Sequence, residues 1–299
     1  SAGAGTLSHS ALTACYLLMA GNMRQIESST CFGGRQIRYR HDSETLNCTM
    51  SFGVYLPPAA EKNKVPFLIW LSGLTGRDNT FPFLAGAQRY AAERGIAIVT
   101  PDTSPRGEGV PDDPDGAYDF GLSAGFYLNA TELPWQKNYH MYDYVVDEFS
   151  TLIVNELPID SARQSIFGHS MGGHGAITIA LKNPGRFRSV SAMAPICNPM
   201  DCPWGVKAFN NYLGPDRATW RQYDATKLVA TSEERLPLLI DQGDEDEFLE
   251  EQLGLDELQS ALSEYDYPAT VRMRGGYDHG YYFVASFIGE HIDFHANYL

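Results

Sequence analysis

"FGHSMGGHGA" (Phe167–Ala176) crowds four glycines and two histidines around one serine. Each of those glycines weakens a helix, so so much bare backbone at one spot asks for a steric reason. The stretch contains G-x-S-x-G as Gly168-His169-Ser170-Met171-Gly172, with the apolar "SIF" before it and "AITIALKN" after it. Strand, sharp turn and helix is the context in which a serine sits at a strained backbone angle on the tip of the turn, and the residues two before and two after it must then lack side chains. A glycine-rich helix start that serves only packing is the bland alternative.

Working outward, short apolar runs bounded by Pro or Gly read as strands: Met50–Pro57, Val65–Gly73, Gly95–Asp102, Gln164–Gly168, Ser189–Pro195, Pro237–Gly243 and Ala269–Arg274. Helix-like segments lie between most of them, among them "AGAQRYAAERG", "YHMYDYVVDEFSTLIVNEL", "GAITIALKNPG" and "LDELQSALSEY", and "GYYFVASFIGEHIDFHANYL" closes the chain. Alternation of this kind predicts an α/β fold, with a mostly parallel central sheet and helices on both faces. No linker, charge block or repeat divides the chain, so residues 23–299 read as one domain. The first 22 residues differ in character; an apolar core without a preceding Lys or Arg reads as a non-native or disordered extension rather than a signal or a membrane span. The stretch 101–139 is too rich in Pro, Gly and Asp for regular structure and is the expected wall of a substrate pocket.

Composition excludes some partners. With 22 basic and 37 acidic residues the formal net charge is −15, which repels phosphate backbones and argues against nucleic-acid binding. Five thinly spread cysteines in a 299-residue chain fit a reducing, cytoplasmic setting better than a disulfide framework. Cys197 and Cys202 lack the further ligands of a zinc site and read as packing residues.

A serine hydroxyl needs a base, and the base needs an acid to fix its tautomer. A strand–elbow–helix serine belongs to the α/β-hydrolase fold, where the chain order is nucleophile, acid, histidine. That order leaves His174, His279, His291 and His295. His174 follows Ser170 by four residues on the elbow helix and reads as structural. His291 and His295, an i, i+4 pair, lack the glutamate of H-E-x-x-H and lie in a C-terminal amphipathic helix. His279, in the glycine-rich "RGGYDHGYYF", lies where the hydrolase base belongs. For the acid, Asp246 is preferred, with Asp244 open on spacing alone and Asp278 diverging from its neighbour His279. Oxyanion donors are expected from the amide of Met171 and from Leu74, in the loop "SGLTG" between Gly73 and Gly76.

Beyond G-x-S-x-G, the chain resembles the S-formylglutathione hydrolase (esterase D) family. The resembling segments are "FGG" (Phe32–Gly34), "LSGLT" (Leu71–Thr75), "PDTSPRG" (Pro101–Gly107), "AGFYLNAT" (Ala124–Thr131), "MYDY" (Met141–Tyr144), "GHSMGGHGA" (Gly168–Ala176), "APICNP" (Ala194–Pro199), "CPWGVKAF" (Cys202–Phe209) and "GYDH" (Gly276–His279). The resemblance covers residues 23–299. It implies a cytoplasmic serine thioesterase in formaldehyde detoxification, acting through an acyl-serine without cofactor or metal. It assigns the triad to Ser170, Asp246 and His279, settling Asp246 over Asp244, and the oxyanion positions to Leu74 and Met171. Many members carry cysteine where this chain has Gly76 and serine where it has Gly280. The expected partner is a small molecule, a glutathione thioester, with a second copy of the chain as the alternative to a monomer. Arg106 and Lys207 are candidates to receive the polar leaving group, with surface ion pairing as their bland reading, and Tyr127 and Trp204 are candidates to close the acyl pocket. A broad carboxylesterase and a hydrolase-fold binding protein remain the competing readings.

Overall fold

The computed structural model describes residues 23–299, so the expectation for residues 1–22 lies outside the described residues. Nine strands form a sheet in the order β1-β2-β3-β5-β4-β6-β7-β8-β9. They are β1 (Met23–Cys31), β2 (Gly34–Ser43), β3 (Cys48–Leu56), β4 (Val65–Leu71), β5 (Ala97–Pro101), β6 (Ile159–His169), β7 (Val190–Met193), β8 (Leu238–Gly243) and β9 (Ala269–Arg274). The strands β4 to β9 run parallel, while β1, β2 and β3 form an antiparallel meander joined to β5. The parallel strands β5, β7 and β8 are buried along their whole length, as strands covered on both faces must be.

The seven strands read from sequence are all present. The two that open the sheet, β1 and β2, were not anticipated. Along β1 only Met23 is buried and six of its nine residues are exposed, because it is an edge strand that touches little. A strand that contributes one residue to the core carries almost no apolar alternation to read.

After β4 the chain moves to β5 on one side, then crosses back to place β6 on the other side of β4. The carboxyl ends of β4 and β6 therefore flank a topological switch point, where a crevice opens in sheets of this type. The turn after β4 holds residues 72–78, and the turn after β6 holds Ser170. Helix α1 (Met171–Lys182) leaves that second turn and packs on β4, β6 and β7. Helix α2 (Tyr281–Ala296) leaves the loop after β9 and packs on β7 and β8. The long 101–139 segment is irregular, as its composition requires, and its Phe120 and Trp135 pack with Tyr139 and Tyr212 into an aromatic cluster.

Candidate active site

The opening glycines have a steric cause. A Cβ at Gly172 would run into the Leu71 carbonyl at the end of β4, and one at Gly168 would run into the Gly172 carbonyl. Strand β4, strand β6 and α1 thus meet backbone to backbone, which only glycine allows. Gly173 abuts Pro195, and Gly175 carries the Tyr127 ring against the helix.

Between them Ser170 has φ 57° and ψ −120°, a strained conformation for a residue with a side chain. The surrounding backbone over-determines it. Its N–H donates to the Met193 carbonyl at 3.0 Å, and its own carbonyl accepts from His174 N (3.0 Å) and Ile196 N (3.2 Å). The strain lifts Oγ off the sheet end toward the loop after β9.

There His279 Nε2 lies 2.9 Å from Ser170 Oγ, and His279 Nδ1 lies 2.6 Å from Asp246 Oδ2. Burial alone would raise the Asp246 carboxyl, but hydrogen bonds from His279, the Phe248 N–H and Gln242 Nε2 hold it below the usual carboxylate range. An ionised acid that accepts from Nδ1–H leaves Nε2 as the ring's acceptor, facing the serine hydroxyl. Asp244 and Asp278 do other work: Asp244 Oδ1 accepts from Gly276 N at 2.6 Å, and Asp278 Oδ1 accepts from Gly280 N at 2.9 Å. Both pin the loop that carries His279.

Across the crevice, the 72–78 loop presses on the serine: a Cβ at Gly73 would lie 3.0 Å from Ser170 Cβ. Thr75, at φ +66°, and the Gly76 N–H to Gly73 carbonyl bond fold this loop tightly. Thr103 Oγ1 anchors it by donating to the Gly76 carbonyl at 2.6 Å. A Cβ at Gly76 would lie 2.8 Å from Ser72 Cβ, so the turn is closed around the bare residue. Among the described residues the amides of Leu74 and Met171 have no acceptor within the chain, which leaves both N–H groups for a ligand oxygen.

The four candidate binding residues separate. Trp204 is buried with its ring 4.7 Å from Phe248, whose own ring stands edge-on to His279 at 5.0 Å. Tyr127 has no exposed surface and donates its hydroxyl to the Ser72 carbonyl at 2.8 Å, so it underlies the elbow and faces no open pocket. Lys207 Nζ is held by Asp119 at 2.6 Å and Asp113 at 3.5 Å. Arg106 makes a two-pronged pair with Asp102, 2.8 Å at each contact, and reaches Ser123. Both cations are in ion pairs.

Two residues beside His279 were not anticipated. Phe248 hides in the acidic run "DEDEFLEE", where one aromatic among charges has no pattern. His169 donates from Nε2 to the His279 carbonyl at 2.9 Å, tying the nucleophile strand to the histidine loop. Burial first, and the neighbouring His279 second, push His169 down to about 3, so it stays neutral. His174, His291 and His295 are structural. His174 Nε2 meets the Phe126 carbonyl, and His291 and His295 bond to Ser191 and Ser189 inside the core.

A serine strained on a glycine-framed elbow, hydrogen-bonded to a histidine and through it to an aspartate at the switch point of a parallel sheet, defines an α/β-hydrolase of the serine type. The chain matches the esterase family model described as "Putative esterase" over residues 43–294, and it belongs to that family. It is 53% identical to the S-formylglutathione hydrolase of Rattus norvegicus and 54% identical to that of Mus musculus, in each case over 93% of this chain and 99% of the relative. Among solved structures it is similar to an S-formylglutathione hydrolase from Agrobacterium tumefaciens, at 47% identity and a TM-score of 0.90, covering 92% of this chain and 99% of that one. Among the described residues no helix is long and apolar enough to cross a membrane.

Proposed function

We propose that this chain hydrolyses S-formylglutathione to glutathione and formate through an acyl-serine intermediate, in the detoxification of formaldehyde. The observation that carries the chemistry is the unbroken hydrogen-bond chain Ser170 Oγ, His279, Asp246. The thioester substrate is supported by the identity of more than half to two S-formylglutathione hydrolases along nearly their whole length.

In this reading Ser170 Oγ attacks the formyl carbon as His279 Nε2 takes its proton, and Asp246 stabilises the imidazolium. The carbonyl oxygen becomes an oxyanion, received by the Leu74 and Met171 amides. Collapse breaks the C–S bond, and the glutathione sulfur leaves with the proton from His279. Water then repeats the sequence on the formyl-serine. Phe248 and Trp204 keep the imidazole's flank apolar. A cytoplasmic setting belongs to the same proposal and is supported by the four free cysteines among the described residues.

A broad carboxylesterase would use the same groups, so the test is comparative. The kcat/KM values for S-formylglutathione, S-acetylglutathione and an aryl acetate are measured in one buffer, and the formyl thioester is expected to rank first. A wide margin in favour of the aryl ester would replace this reading with the carboxylesterase.

A further inference from the structure

A protein of net charge −15 gathers five arginines around one cleft. Arg24, Arg38, Arg40, Arg77 and Arg106 line a cleft of 570 Å³ at the carboxyl end of β5, beside the meander. Two of the five are neutralised, Arg38 by Asp78 and Glu27 and Arg106 by Asp102. Arg24, Arg40 and Arg77 make no ion pair among the described residues, and Glu108, the other acid lining the cleft, pairs with none of them.

The register makes the arrangement costly for an empty surface. Arg24 and Arg40 stand directly opposite each other on β1 and β2, and like charges in that position repel. Arg38 lies on the same face of β2, two residues before Arg40. Solvated arginines have no need to converge in this way, whereas a guanidinium cluster in a concave site matches anionic oxygens in fork geometry. The volume suits a small ligand.

We propose that this cleft is a binding site for a small multivalent anion with clustered phosphate or carboxylate oxygens. It is distinct in its residues from the Ser170 site and connected to it through one loop. Arg77 follows Leu74 by three residues, and Arg106 Nη2 lies 3.4 Å from the Gly76 carbonyl.

The test is calorimetric titration of the full chain, at low ionic strength, with pyrophosphate and separately with tricarballylate. Glutathione forms a third arm. The readout is independent of hydrolysis, so its failure leaves the functional reading untouched. Saturable one-to-one binding is expected for at least one probe, weakened about tenfold or more in Arg24→Gln/Arg40→Gln, each lost guanidinium removing a charge-assisted contact. The charge-matched control Arg188→Gln/Arg221→Gln should bind as the parent does. The probe that binds most tightly identifies whether phosphate or carboxylate oxygens are preferred. No saturable binding in any arm, binding left unchanged in Arg24→Gln/Arg40→Gln, or equal weakening in the control, would overturn the proposal.

Discussion

Asp246 and its neighbours show how much one side chain's direction decides. Four acids crowd positions 244 to 247 and a fifth adjoins His279, yet only Asp246 reaches Nδ1. Asp244 and Asp278 are spent on backbone amides of the histidine loop. Asp246→Asn keeps the shape but presents an amide to Nδ1, which favours the wrong tautomer, and kcat is expected to fall by about 10⁴. Asp278→Asn keeps an acceptor for the Gly280 N–H and should stay within about tenfold of the parent, given that one neutral hydrogen bond contributes about 1 kcal/mol. Steady-state rates on one ester substrate check both, and a comparable loss in the two variants would contradict the assignment. Spacing alone left Asp244 open, because the choice depends on which carboxylate the turn after β8 aims across the crevice.

At the scale of elements, the contact of β4 with the start of α1 is the joint on which the site turns. Gly172 lets the helix settle onto the Leu71 carbonyl, and this also sets the distance from the elbow to the 72–78 loop. Gly172→Ala is expected to destabilise by about 1–3 kcal/mol through overpacking, and to lower kcat as the elbow is pushed from the loop. Urea unfolding and turnover of the same preparation measure both; an unchanged midpoint with full activity would contradict the joint. This part of the molecule was legible because its requirements are local: four glycines, one serine and an apolar run on either side. The strands β1 and β2 were not: the edge strand β1 is mostly exposed, and β2, between β1 and β3, buries only one large apolar side chain, Ile37, so neither carries an apolar alternation. Phe248 and the His169 bond to the His279 carbonyl were not either, because each depends on two turns distant in sequence meeting at the crevice.

For the whole molecule, buried histidines set the response to acid. Burial lowers His41, His174, His291 and His295 as well as His169, with His174 at about 4 and His169 at about 3. Each is harder to protonate in the fold than in the unfolded chain, where it takes up a proton below its reference value of about 6.5. The unfolded state therefore binds more protons from about pH 6.5 downward, and stability falls as pH falls through that window. Asp241, lowered through its contacts with His291, Arg272 and Arg274 despite burial, adds loss in the same direction at lower pH. Asp78 and Asp224, raised mainly by burial, work in the opposite sense from their own lower window. Urea midpoints should decline on acidification from about pH 7 toward pH 5; a higher midpoint at pH 5 than at pH 7.5 would contradict this. The most direct test of the account is the turnover of S-formylglutathione by the parent and by Ser170→Ala, with folding checked by the unfolding midpoint. The predicted result is a loss in kcat on the order of 10⁴ or more, as the oxyanion donors and binding surface persist without the nucleophile. Turnover within tenfold of the parent in a folded Ser170→Ala protein would contradict it.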